Sequence, residues 1–170
     1  MNGTWFGRRL SAFTVATGVA AFVLAGVVAP ASADDRHAGY YYPPVTSTEV
    51  YEARAATLAD ATRDLRVQFI VNLTQQMLSK PYAPDYAIFA KGDRAEKLII
   101  VGLSEGGGLS TIYRARATLA MLTAIARGSK LFIEFGVDDF FTFFDLAKLF
   151  GFERITVSDG QTYAHQIDIK

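Results

Sequence analysis

The stretch Tyr86-Ala87-Ile88-Phe89-Ala90-Lys91-Gly92-Asp93-Arg94-Ala95-Glu96-Lys97-Leu98-Ile99-Ile100-Val101-Gly102-Leu103 decides the fold. Two apolar runs, 86–90 and 97–103, flank the turn-forming Lys91-Gly92-Asp93 and read as an antiparallel strand pair. Downstream, Glu105-Gly106-Gly107-Gly108 forms a turn, and Ser110 or Thr111 can cap the helix that follows. On that helix Ile112, Ala115, Leu119, Leu122 and Ala126 make one apolar stripe at 3.6-residue spacing. Ala117, Ala120 and Ala124 make a second, small-residue face, and Gly128 is placed to end the helix.

Beyond Leu131-Phe132-Ile133 a further helix is expected from an Asp138 cap to a Schellman end at Leu149-Phe150-Gly151-Phe152, with Phe152 folding back on Ala147. On its wheel Phe140, Phe143, Phe144, Leu146, Ala147 and Phe150 share an arc, and Phe141 is left on the polar side. Residues 154–158 and 161–169 read as a hairpin across Asp159-Gly160, a pair suited to a type I′ turn. Upstream, 65–73 alternates as a half-buried strand would, with a short helix to Ser79. Leu65, Phe69, Leu73 and Met77 also fit helical spacing. Strands in adjacent pairs with helices between them predict a single α+β domain: an antiparallel sheet of about five strands carrying two to three helices.

The first residues read as an export address. Arg8 and Arg9 form a basic start, 12–29 is an uncharged, mostly apolar run, and Ala31-Ser32-Ala33 is an A-x-A signal. Cleavage is expected between Ala33 and Asp34, leaving a periplasmic or secreted chain of 137 residues with no membrane attachment; a retained anchor is the alternative. The general secretory and twin-arginine routes both stay open. No cysteine is present, so an apolar core must hold the domain without disulfides. With Arg8 and Arg9 removed, 15 basic residues face 17 acidic ones, a formal charge of −2, and no basic block marks a nucleic-acid partner. Residues 34–48 read as a tether before a domain at 49–170. Its Tyr40-Tyr41-Tyr42-Pro43-Pro44 is extended, either packed on its own domain or offered to a partner.

The most specific chemical pattern is Gly102-Leu103-Ser104-Glu105-Gly106, a G-x-S-x-G match between a strand and a helix. In a hydrolase Ser104 would attack, His165 would take its proton, and Asp159 or an acid within 138–145 would orient the imidazole. Three glycines separate this serine from the helix, and no His-Gly-Gly oxyanion motif is present. A second pattern joins Gly106, Gly107 and Gly108 to Arg114 and Arg116, cations at a helix's positive end that could hold an anion with the loop amides. Phe141, with Tyr40, Tyr41 and Tyr42, is the candidate partner patch. With two histidines and no cysteines, no metal and no cofactor are expected.

Phe89-Ala90-Lys91-Gly92, Glu96-Lys97-Leu98-Ile99-Ile100-Val101, Tyr113-Arg114-Ala115-Arg116-Ala117, Thr142-Phe143-Phe144-Asp145-Leu146, Ser158-Asp159-Gly160 and Ala164-His165-Gln166 resemble a small exported alphaproteobacterial family of no established function. Some members carry the label molybdopterin-guanine dinucleotide biosynthesis protein A, which implies nucleotidyl transfer. The pattern of that activity, Leu-Ala-Gly-Gly-x-Ser-x-Arg-Met-Gly near the N-terminus, is not matched: Gly107-Gly108-Leu109-Ser110-Thr111 lies mid-chain and runs into Ile112 where arginine belongs. The leading expectation is an exported domain that binds a protein partner or small ligand without catalysis, and the alternative is a small serine hydrolase.

Overall fold

The computed structural model describes residues 41–103 and 109–170. In chain order the elements are β1 (Ser47–Tyr51), α1 (Arg63–Leu78), β2 (Tyr86–Lys91), β3 (Lys97–Gly102), α2 (Ile112–Arg127), α3 (Lys130–Glu134), α4 (Phe143–Leu149), β4 (Arg154–Ser158) and β5 (Ala164–Ile169). The domain is α+β, and its five strands form one sheet in the order β1-β5-β4-β3-β2. That sheet is mixed rather than purely antiparallel. The expected pairs β2–β3 and β4–β5 are antiparallel, but β3 lies parallel to β4 and β1 parallel to β5. The crossover through α2, α3 and α4 returns the chain to the sheet in its original direction, as a helical connection permits and a tight hairpin does not.

The central strand β3 explains why both faces are dry. Leu98, Ile99 and Ile100 in succession have no exposed surface, the mark of a strand covered on both sides. Leu98 and Ile100 join Ile88, Ile155, Val157, Ile167 and the helices in the main core. Ile99 and Ala164 point the other way and are covered by Tyr42, with Tyr41 and Val45 beside it. The tyrosine segment is therefore a lid on its own sheet. Tyr42 keeps 3% of its surface, so it is not available to a partner. Tyr41 packs at a tilt against Phe89, and the Lys91 ammonium sits 4.5 Å over the Tyr41 ring.

The segment 65–73 is helical, not a strand. Thr62 caps α1 by accepting from the Leu65 amide, and the buried positions Arg66, Ile70 and Leu73 follow helical spacing. The period-2 alternation there reflects composition alone. Residues 131–133 belong to the short α3, capped by Ser129. The next helix begins at Phe143, not after Asp138, because Thr142 and Asp145 form a reciprocal capping box. Its far end does follow the Schellman pattern: Gly151 N donates to Lys148 O at 2.8 Å and Phe152 N to Ala147 O at 2.9 Å, with Gly151 at φ +79°. Gly128, by contrast, caps α2 at φ −77°, so its glycine freedom goes unused. β1 was unforeseen. It takes Ser47 and Thr48 out of the expected tether and lays them along β5.

Candidate functional site

His165 lies on the helix-covered face, in a register row that runs Ile88, Ile100, Val157, His165, Ser47 across the sheet. Only 3% of it is exposed. Its partners come from β1, not from the acids expected by sequence. Ser47 Oγ stands 2.7 Å from Nδ1, and Glu49 Oε1 stands 3.2 Å from Nε2. The second Glu49 oxygen meets Arg116 Nη2 at 3.3 Å. With the ring hydrogen on Nε2, Ser47 donates to Nδ1 and Nε2 faces the carboxylate, although that second contact is too poorly aligned for a hydrogen bond. Tyr163 brings a buried hydroxyl that also lacks a well-formed hydrogen bond. Burial pushes its phenol above the usual range and the Glu49 charge adds to this, while a Ser47 contact and Arg116 act in the opposite sense.

Asp159 does not reach this group. Its carboxylate is committed to the β4–β5 turn, accepting from the amides of Gln161, Thr162 and Tyr163 and from the Thr162 hydroxyl, all at 2.6–2.9 Å. These bonds hold its pKa down at about 2 against the opposing pull of burial. The turn is accordingly longer than a two-residue type I′ connection, since β5 starts only at Ala164. Of the other acids offered to the imidazole, Asp145 is wholly buried and engaged by Thr142, Tyr51 and the Arg54 amide. Ser104, Gly106, Gly107, Gly108 and Tyr40 lie outside the described residues.

Arg114 and Arg116 do not converge. Two residues apart on α2, they are separated by about 200° around the helix. Arg116 reaches Glu49 on β1 at one edge of the sheet, whereas Arg114 lines a cavity with Asp85 and Tyr86 at the other. Burial, and then the Asp85 charge, push the Tyr86 phenol up. Phe141 is packed rather than offered: it meets Phe132 edge-on at 5.5 Å and lies against the core. Phe140, assigned to the core arc by its wheel position, is the exposed ring. Both precede α4, so helical periodicity never applied to them.

A concentration of positive charge lies at the opposite end of the sheet. A cavity of about 360 Å³ is lined by Arg63, Arg66, Arg94 and Lys148, with Glu153 as its one carboxylate. Glu153 is held by Arg94 at 2.7 Å. Arg66 is 5% exposed and meets no carboxylate among the described residues: Nε and Nη2 donate to Arg94 O, and Nη1 donates to Ala61 O and Phe150 O. Its charge is countered only by carbonyl dipoles, among them the C-terminal end of α4. Gly151 forms part of the wall, where a Cβ would come within 2.7 Å of Arg66 Nη1. A larger cleft of about 430 Å³ between α1 and α2 has mainly apolar walls, with Lys130 its one charged lining residue. Sequence reasoning missed the basic cavity. The available signal was the one applied to α2, cations in the first turn of a helix, here Arg63 and Arg66 of α1.

Among the described residues no group of three His, Asp or Glu side chains is placed to hold a metal ion. Comparison with protein-family models, with curated proteins and with solved structures returned no match.

Proposed function

We propose that this chain is an exported α+β domain that binds a compact polyanion, of phosphate or carboxylate type, in the cavity above Arg66. The observation that carries this is the charge count of the wall: four cations against one carboxylate that is already paired. Export would place the domain where free phosphate esters and organic acids are available and nucleotide triphosphates are not. The cavity volume sits at the lower end of the range for small-molecule sites, which favours a small ligand over a dinucleotide. Arg66, locked by carbonyls, supplies a fixed positive floor. Arg63, held only loosely by its exposed neighbour Asp64 at 3.9 Å, and Lys148 stand at the cavity wall, where they can close on the ligand. We favour this cavity over the anion site expected at Arg114 and Arg116, because Arg116 is engaged by Glu49 on β1 while Arg114 lines a cavity beside β2.

Thermal melting of the full chain with inorganic phosphate, sulfate and citrate tests it. A ligand at a hundred times its Kd adds about 2.7 kcal/mol of stability, a shift of several degrees. The double variant Arg63→Ser/Lys148→Ser is expected to abolish the shift while leaving the unliganded Tm close to that of the parent. An unchanged Tm with every anion, or an equal shift in the double variant, contradicts the proposal.

A further inference from the structure

The end of the sheet that carries His165 holds a second, independent arrangement. We propose that Ser47 is a nucleophilic hydroxyl, activated by His165, that accepts an acyl group from a small ester at the β1–β5 edge of the sheet. The geometry has the parts such a step requires. Ser47 Oγ is 2.7 Å from an imidazole nitrogen, within direct proton-transfer reach. The other imidazole nitrogen is 3.2 Å from the Glu49 carboxylate, which stabilises the imidazolium formed when the serine proton arrives. Arg116 fixes that carboxylate by its second oxygen. Tyr163, two residues before His165 on the same side of the chain, adds a buried phenol hydroxyl that has no well-formed hydrogen bond. Neutral at physiological pH like any phenol, it is a donor suited to an oxyanion.

The nitrogens are used in the reverse sense to the familiar serine triad, with Nδ1 toward serine and Nε2 toward the acid. The chemistry depends only on one lone pair and one N–H at opposite ends of the ring, which this tautomer supplies. In the step itself Ser47 Oγ forms a bond to the ester carbonyl carbon as its proton passes to His165 Nδ1. The tetrahedral centre collapses, the bond to the alkoxy oxygen breaks, and that oxygen leaves with the proton from Nδ1. Water, deprotonated by the same nitrogen, then releases the acid and restores Ser47. His165 is the catalytic base, and Glu49 is a positioning residue acting through it.

The sequence places the activated serine at Ser104, in the G-x-S-x-G pattern; the geometry assigns it to a strand the pattern does not touch. Treating the full chain with a fluorophosphonate reagent and mapping the adduct by peptide mass spectrometry separates these. The expected adduct is on Ser47. It persists in Ser104→Ala, and its formation slows by about 100-fold in His165→Gln. No adduct on the folded chain, or an adduct confined to another residue, overturns the proposal. Because Ser47 also ties β1 to β5, a second variant guards against loss of folding. The chain contains no cysteine, so Ser47→Cys introduces a single thiol. Its alkylation by iodoacetamide at neutral pH is expected to slow about tenfold when His165→Gln is added, as an imidazole partner raises the thiolate fraction. Equal rates with and without His165 would overturn the assignment even if Ser47→Ala fails to fold.

Discussion

Arg66 and His165 are buried ionisable side chains at opposite ends of one sheet, near the Lys97–Arg154 and Ser158–Ala164 pairings respectively, and they are satisfied in different ways. Arg66 is held by main-chain carbonyls from three separate segments, so its environment is built by the fold and does not titrate. His165 is held by side chains, a hydroxyl and a carboxylate, and both contacts change when a proton moves. The first arrangement makes a permanent electrostatic surface suited to holding an anion. The second is the arrangement on which the proposed acyl transfer rests. The proposed anion site and the proposed reactive serine therefore rest on separate ends of the sheet and can be tested independently.

The contrast is broken most forcefully at Arg66. Arg66→Met removes the donors of the carbonyls of Ala61, Arg94 and Phe150, and buried acceptors left without partners cost about 1–3 kcal/mol each. A loss of at least about 3 kcal/mol is expected in urea denaturation; a loss below about 1 kcal/mol would show that the carbonyls find other donors. Next in size is the aromatic pair before α4. Phe141→Ser should cost about 2–4 kcal/mol, since it removes a ring packed on Phe132. Phe140→Ser should cost less, about 1 kcal/mol or under, because that residue is 47% exposed and its ring meets Phe141 edge-on at 5.3 Å. Equal effects would place both rings in the same environment.

A smaller effect sharpens the link between helix end and cavity. Gly151→Ala puts a side chain at φ +79° and against the Arg66 guanidinium, for a cost of about 1–2 kcal/mol. It should also weaken anion binding, whereas His165→Gln should not. The smallest concerns Asp159. Its carboxyl titrates lower in the folded chain, at about 2 against the ordinary 3.8, so its stabilising contribution is complete above the unfolded value and is lost as pH falls through the folded one. The stability difference between the parent and Asp159→Asn should therefore be present at neutral pH and vanish below about pH 2. Being only partly buried, and so screened by solvent, the group should contribute about 1 kcal/mol or less. A difference that persists at the lowest pH would mean the turn depends on shape and not on charge.

The sequence was legible where one local rule acted alone. The β2–β3 pair, the Thr111 cap of α2, its buried stripe at Ala115, Leu119, Leu122 and Ala126, and the Schellman end at Gly151 were all readable from spacing and turn chemistry. It misled where two periods coincided, as in 65–73, where composition produced an alternation that the Thr62 cap overrides. It also misled where a capping box was competing with a plausible alternative cap, moving the start of α4 from Asp138 to Thr142. Parallel pairing was illegible because nothing in Ser47–Tyr51 specifies β5 as its neighbour over a distance of more than a hundred residues. The candidate sites suffered most from this. His165 was identified, but its partners Ser47 and Glu49 arrive with that unforeseen strand, and Arg66 looks like an ordinary polar position until two distant turns, at Arg94 and at Phe150, close over it.

The most direct test of the account is amide chemical-shift mapping of the full chain titrated with inorganic phosphate. Saturable shifts confined to Thr62, Arg63, Arg94 and the Lys148–Gly151 turn, with Ser47 and His165 unmoved, are the predicted result. Shifts centred on α2 near Arg114 and Arg116, or no saturable shift anywhere, would contradict the assignment of the Arg66 end as the ligand-binding end.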